Sequence, residues 1–147
     1  MLANTAWAFA TMKQLDEKLC TALARAAERR LNKLTEQNLA NTAWAFATVD
    51  HRDEKLFAAL ARAAERRLSE FTSQSVANTA WAFATVNHWE EKLFAALARA
   101  AERRVTEFNP QNVANTAWAF ASLHHRDDRL CAVLAIAAQQ RLSEFSS

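Results

Sequence analysis

The hydrophobic residues of this chain recur every three or four positions, which is the period of an amphipathic α-helix. One such segment, about Glu36–Val49, has Leu39 and Phe46 on its apolar side. A second, about Asp53–Phe71, has Leu60 on its apolar side. A short polar stretch separates the two segments. The pattern therefore predicts two helices, A and B, joined by a brief turn.

This pair of segments recurs at a step of 37 residues, and the sequence ANTAWAFA marks each copy. It begins at Ala3, Ala40, Ala77 and Ala114. A fixed step of this size is typical of stacked supersecondary units, because one hairpin cannot bury its apolar faces alone. We therefore predict an all-α fold, an α-solenoid of about four helical hairpins forming a single repeat array. The predicted units are 2–38, 39–75, 76–112 and 113–147.

The composition agrees with long helices and brief turns. The chain has no Gly and one Pro, and 51% of its residues are hydrophobic. An all-β or α/β fold would need turn glycines. Cys20 and Cys131 occupy one repeat position three units apart. We expect both to be small apolar core residues that are too distant to form a disulfide.

The ends of the predicted helices carry recognisable signals. Thr35, Thr72 and Asn109 precede helix A as N-caps, and Pro110 suits a first helical position. At the entry to helix B, the spacing of Asn87 and Glu90 resembles a capping box. The histidines of these turns are expected to be solvated.

Helix A has a narrow polar side that carries amides and hydroxyls instead of charges. Its recurring members are Asn4, Asn41, Asn78 and Asn115; Gln37, Gln74 and Gln111; and Thr48 and Thr85. Such groups both donate and accept hydrogen bonds, which suits nucleobase edges or a peptide backbone. Alternatively, the Asn and Thr side chains bond between neighbouring A helices. Trp7, Trp44, Trp81 and Trp118 flank this side, either as core wedges or as platforms for stacked bases.

Helix B carries a column of basic residues that would align across the units. We single out Lys55, Arg62, Arg66, Arg99 and Arg103. These side chains could position a strand through its phosphates, or they could form an ordinary solvated face beside Glu residues. The net charge of +2 gives no broad basic field for nucleic acid.

No constellation for catalysis is visible. The chain lacks a Gly-rich phosphate loop, a CxxC pair and a nucleophile motif, and its recurring acidic pairs fit helix caps. We expect no enzyme activity, no cofactor, no metal site and no small-molecule substrate.

No apolar stretch is long enough to cross a membrane. The first residues are ordinary repeat sequence, so no transit peptide is expected.

The segment QNLANTAWAFATV, with its period of 37 residues, resembles the heptatricopeptide and octotricopeptide repeats of organellar proteins. The resemblance extends over essentially the whole chain. The sequence is also similar to repeat tracts of algal chloroplast translation factors. It implies an α-solenoid that binds single-stranded RNA in a chloroplast or mitochondrion and supports RNA translation, stability or processing. It also implies that Asn4, Asn41, Asn78 and Asn115 face the RNA.

The sequence therefore yields two hypotheses of different classes. In the first, the helix A amides contact the bases of single-stranded RNA and the helix B cations contact its phosphates. In the second, the array is a scaffold for other proteins, of tetratricopeptide-like type, and the uncharged groove holds a peptide or a partner helix.

Overall fold

The computed structural model describes residues 17–123 and 127–140, and every regular element in these ranges is helical. The α-helices are α1 (Glu17–Arg29), α2 (Glu36–Thr48), α3 (Glu54–Arg66), α4 (Ser73–Thr85), α5 (Glu91–Arg104), α6 (Pro110–Ser122) and α7 (Asp128–Gln140). Helices α2, α4 and α6 are the A helices, and α1, α3, α5 and α7 are the B helices. The predicted all-α class is confirmed.

Each A helix begins at the predicted N-cap. The Thr35 hydroxyl accepts a hydrogen bond from the Asn38 N–H, and Thr72 repeats this arrangement in α4. In α6, Asn109 forms a full capping box with Asn112, and Pro110 occupies the first turn. These contacts satisfy amide groups that a helix start leaves without intrahelical partners.

Helices α2 and α4 each end in a left-handed residue, which the sequence did not reveal. Asp50 has φ 57° and Asn87 has φ 54°. The His51 N–H donates to the Phe46 carbonyl and the Asp50 N–H to the Ala47 carbonyl, each at 2.9 Å, which is a Schellman motif. Glycine usually occupies this position, but the chain has none. The predicted capping box at Asn87 is therefore wrong, because this residue closes the preceding A helix.

The turn histidines are not simply solvated. His51 and His88 are half-buried, and their rings pack on Phe46 and Phe83 with centroids 5.8 and 5.7 Å apart. The predicted solvated turn is thus wrong at these two positions, because the Schellman geometry folds each ring back over its helix. His124 and His125 lie outside the described residues.

The B segment is shorter than predicted and breaks into two pieces. Helix α3 ends at Arg66, and a 3₁₀ turn follows at Leu68–Glu70. Arg67, with φ −121° and ψ 16°, separates them. The break places both Leu68 and Phe71 in the core. The same turn recurs at Leu31–Lys33 and Val105–Glu107.

The helices form two layers. The A helices lie side by side in one layer and the B helices in the other, and the A helices approach one another more closely. Small side chains permit this approach, since Ala40, Ala43, Ala45 and Ala47 are all buried in α2. Because the A layer is more tightly spaced than the B layer, the stack bends so that the A helices line its concave side.

The core lies between the two layers and is continuous along the stack. Phenylalanines from neighbouring units meet edge to face within it. The Phe57 and Phe83 ring centroids are 5.0 Å apart, and those of Phe94 and Phe120 are 5.4 Å apart. Such pairs add to the free energy gained from burial of the rings.

Ion pairs connect successive B helices. Arg25 contacts Asp53 of the next unit, and Arg99 binds Asp127 at 2.6 Å. Arg67 also donates to the Leu34 carbonyl of the preceding unit. These contacts fix the register of one hairpin on the next.

The outward side of the fourth unit differs from that of the inner units. Ala117, Ala121 and Cys131 are exposed there, although their counterparts in the second and third units are buried. They line an open apolar cleft of about 650 Å³ between α6 and α7. The expectation of two buried cysteines therefore holds for Cys20 only, and neither cysteine forms a disulfide.

The cap of α3 gives a prediction about acid stability. Burial alone would raise the pKa of the Asp53 carboxyl, but the hydrogen bond from Leu56 N–H and the Arg25 guanidinium hold that pKa below its ordinary value of 3.8. Because the folded-state pKa is the lower one, the carboxylate stabilises the fold above the unfolded-state pKa. This stabilisation is lost as the pH falls through the folded-state pKa.

Asp53→Ala should lower the free energy of unfolding at pH 7 by roughly 0.5–2 kcal/mol, the usual loss for an N-cap. Asp53→Asn should keep much of the cap but reduce the dependence of stability on pH. Thermal unfolding followed by circular dichroism at pH 7 and at a pH below the ordinary Asp value of 3.8 measures both effects. Equal acid sensitivity of wild type and Asp53→Asn would contradict the assignment.

The left-handed residue gives a second prediction. Asn87→Ala should destabilise the protein by about 1 kcal/mol, because a Cβ without a local polar group is disfavoured at positive φ. Asn87→Gly should be neutral or slightly stabilising. Urea unfolding of the two variants provides the comparison, and an alanine variant as stable as the glycine variant would argue against the Schellman ending.

Candidate nucleic-acid interface

The polar side of each A helix forms one continuous surface, which we call the inner A face. It contains the Gln, Asn, Trp and Thr/Ser positions of α2, α4 and α6. In α2 these positions lie opposite Leu39 and Phe46, which are buried toward the B layer. The inner A face therefore points away from the B helices and lines the concave side of the stack.

Among the described residues, the asparagines of this face have side-chain amides without partners. Asn41, Asn78 and Asn115 are partly exposed. Within the described part of the chain, their side-chain amides have no hydrogen-bond partner, whether on a neighbouring A helix or elsewhere. No inter-repeat amide ladder therefore joins α2, α4 and α6 at these positions. Each amide presents donors and an acceptor at the surface. Asn4 lies outside the described residues.

The hydroxyl positions are less available than the sequence indicates. The exposed Thr48 hydroxyl donates to the Trp44 carbonyl at 2.8 Å, so it can only accept a bond from a ligand. The Thr85 oxygen is buried and has no partner among the described residues. Thr85 is thus not an accessible contact, because the packing of α4 covers its hydroxyl.

The glutamines lie at the exposed start of each A helix. Gln37, Gln74 and Gln111 are all exposed and fall within the first turn of α2, α4 and α6. One helical turn separates each from the Asn of its own helix. Each amide pair is therefore close enough to contact the same ligand residue.

The tryptophans form a ladder along the inner A face. The ring centroids of Trp44 and Trp81 are 6.3 Å apart, and those of Trp81 and Trp118 are 6.5 Å apart. Trp44 and Trp81 are half-buried, whereas Trp118 is 48% exposed. The rings thus contribute to packing and also reach the surface beside the free amides. Trp7 is not among the described residues.

The basic residues lie on a different surface. In α3, Lys55, Arg62 and Arg66 are exposed on the side opposite the buried residues Leu56 and Leu60. They face away from the A layer and form what we call the outer B face. In α5, Arg99 and Arg103 are exposed on the same layer. The structure therefore does not bring these cations together with the amides of the inner A face.

Several of these cations already have partners. Arg99 pairs with Asp127 and with Glu102, and Lys55 lies 4.0 Å from Glu28. Arg66 donates to the Asn32 side chain at 3.3 Å. Arg62 and Arg103 form no ion pair with any described residue. Ordinary surface pairing therefore accounts for part of the basic column.

The RNA contacts predicted from the sequence do not include the tryptophans. Packing was the simpler reading of a Trp at helical spacing, because the sequence does not fix how far apart the rings lie. The signal that identifies them is their recurrence at the flank of an uncharged polar stripe. Their spacing and exposure became visible only in the folded stack.

Other kinds of site find no support in the described ranges. No group of three His, Cys, Asp or Glu side chains there could hold a metal ion. None of the described helices has the length and hydropathy needed to cross a bilayer.

Comparison with known proteins adds one finding. A search of curated proteins gives no match. The model of one family, described as RNA-editing substrate-binding complex 6 protein (RESC6), matches residues 2–147. This is not the heptatricopeptide or octotricopeptide family that the motif resembles, although an RNA-related helical protein agrees with both. Because the match spans nearly the whole sequence, the chain belongs to the RNA-editing substrate-binding complex 6 protein family.

Proposed function

We propose that this protein binds single-stranded RNA along the inner A face and acts in an RNA-editing substrate-binding complex, as the name of its family suggests. The observation that carries the proposal is the row of free amides at Asn41, Asn78 and Asn115. Unpaired polar groups recurring once per hairpin on a concave surface suit a linear, repetitive ligand. The proposed role is non-catalytic.

Single-stranded RNA fits this surface better than a duplex. Sequence-specific contacts to RNA are made mostly to unpaired bases, whose edges are open to hydrogen bonding. An Asn or Gln amide can form two hydrogen bonds with such an edge. At one base per hairpin, the chain would cover about four nucleotides. Because the Asn and Gln positions are identical in each hairpin, we expect little difference in base preference along the site. RNA with homopolymeric stretches should therefore be preferred.

The charge distribution determines how this binding should respond to salt. None of the recurring positions of the inner A face is charged, and the net charge of the chain is +2. Few phosphates would then be neutralised, so affinity should depend weakly on salt concentration. The outer B face is a separate surface, and its cations are not required to contact the same nucleotides.

The central prediction concerns the asparagines. The triple substitution Asn41→Ala, Asn78→Ala and Asn115→Ala should weaken single-stranded RNA binding by at least about tenfold, because a good amide–base pair contributes roughly 1–3 kcal/mol. Fluorescence anisotropy with a labelled random-sequence RNA measures the affinity. Helicity should remain unchanged, since these amides hold no hydrogen bond in the described structure.

The matched control is Arg62→Gln with Arg103→Gln on the outer B face. This double variant should bind RNA with at most a small loss, since both side chains point away from the inner A face. A large loss of RNA affinity in this control, with none in the asparagine variant, would reject the proposed site. It would place RNA binding on the outer B face instead.

A comparison of strands and salt concentrations tests the mode of binding. Single-stranded RNA should bind in preference to duplex RNA, and its affinity should fall only slightly between 50 and 200 mM salt, in contrast to the roughly 10³–10⁵-fold loss of proteins with many phosphate contacts. Equal binding of duplex and single strand, abolished by salt, would indicate non-specific attraction and contradict the proposal.

A protein-interaction scaffold is the second candidate. The observation that favours it is the exposed apolar cleft between α6 and α7. Absence of RNA binding by the wild-type chain would favour this candidate.

The organellar location and the roles in translation, stability or processing stay predictions from the resemblance. Imaging of a tagged protein in the source cells tests the location.

A further inference from the structure

Each inner B helix buries two recurring sets of apolar residues. We call the first the leading set, and in α3 it consists of Leu56, Leu60 and Ala63. We call the second the trailing set, and in α3 it consists of Phe57, Ala61 and Ala64. No member of either set in α3 or α5 is more than 3% exposed. A hairpin with a neighbour on both sides therefore hides both sets.

The first unit hides only its trailing set completely. Cys20, Ala24 and Ala27 of α1 are buried, as their counterparts in α3 are. In the leading set of α1, by contrast, Leu19 is 37% exposed and Leu23 is half-buried. The next hairpin thus covers the trailing set, and no described hairpin lies before α1 to cover the leading set.

The fourth unit shows the reverse pattern. Its leading set is buried, with Leu130 only 1% exposed. In its trailing set, Cys131 and Ala135 are exposed and Ala138 is half-buried. These three residues line the apolar cleft between α6 and α7. The preceding hairpin covers the leading set here, and no described hairpin follows to cover the trailing set.

The two exposed surfaces are therefore the two halves of one interface. At each contact between successive B helices, from α1 to α7, the trailing set of one helix is buried on the side of the leading set of the next. The fourth unit presents an uncovered trailing set, and the first unit presents a partly uncovered leading set. A second copy of the chain supplies the missing half by repeating a contact that the array already makes three times.

The trailing side of α7 is also more apolar than that of the inner units. Ile136 occupies the repeat position of Arg25 and Arg99, which bind the acidic cap of the following B helix. It is 54% exposed. An exposed isoleucine beside an apolar cleft enlarges the hydrophobic surface, and such surfaces mark sites of protein association.

We propose that the trailing side of the fourth unit binds the leading side of the first unit of a second copy, so that chains join head to tail. An interface between two different surfaces leaves one of each uncovered in the dimer, so association continues unless the rotation closes a ring. The inference does not depend on RNA binding. Because the copied interface is the one that aligns the A helices, joined copies would also continue the inner A face.

Sedimentation velocity of the purified chain at increasing concentration tests the association. The mean mass of the wild type should rise beyond two chains. Leu19→Arg and Ala135→Arg should each remain monomeric, because each places a charge in the apolar contact. Both positions are exposed in the single chain, so circular dichroism should show both variants folded. Ala95→Arg, at an exposed position of α5, is the matched control and should associate as wild type.

Mixing the two monomeric variants provides the decisive measurement. Leu19→Arg keeps an intact trailing side, and Ala135→Arg keeps an intact leading side. Their mixture should form a dimer of one chain of each and nothing larger, because both remaining ends are blocked. A variant that had merely misfolded could not recover association in this way.

The other outcomes overturn the inference. Association that Ala135→Arg abolishes and Leu19→Arg does not would indicate two trailing sides paired with each other. A monomeric wild type would leave the cleft to a different protein, or to another part of this chain if Ala135→Arg also lowered the melting temperature. Wild type that associates without binding RNA would reject the proposed function and leave this inference standing.

Discussion

The close packing of the A helices is the constraint on which the rest of the structure depends. Alanines at the sides of α2 and α4 are buried and allow a shorter distance between A helices than between B helices. This difference bends the stack and places the A helices on its concave side. It also sets the separation of the tryptophan rings at 6.3 and 6.5 Å. The geometry of the candidate RNA site thus follows from the smallest apolar side chain.

The B layer fixes the register of the array. Its phenylalanines meet those of the A layer across the core, and its charged residues link successive hairpins. Arg25 and Arg99 bind the acidic caps of the following B helices, Asp53 and Asp127. A cation at this position therefore joins two units through the start of a helix. This explains why a basic column can recur in a chain of nearly neutral charge.

The inner A face and the outer B face consequently differ in chemistry. The inner A face offers side-chain amides and partly exposed aromatic rings without charge, whereas the outer B face carries charges of both signs. Recognition on the inner face would depend on stacking and hydrogen bonding, with little long-range attraction. A linear ligand with one planar, polar group per step matches that surface. Membership of the RNA-editing substrate-binding complex 6 protein family agrees with such a ligand.

The sequence by itself determined the helices, the caps at Thr35 and Asn109, and the side of helix A that carries Asn41, because each depends on residues within a few positions along the chain. It did not determine the left-handed end at Asn87, the burial of the Thr85 hydroxyl, or the separation of the basic residues from the amides. Above all, it could not give the distance between Trp44 and Trp81. The end at Asn87 is local, but no Gly marks it in the sequence. The other features depend on how one hairpin packs on the next, which only the tertiary structure decides.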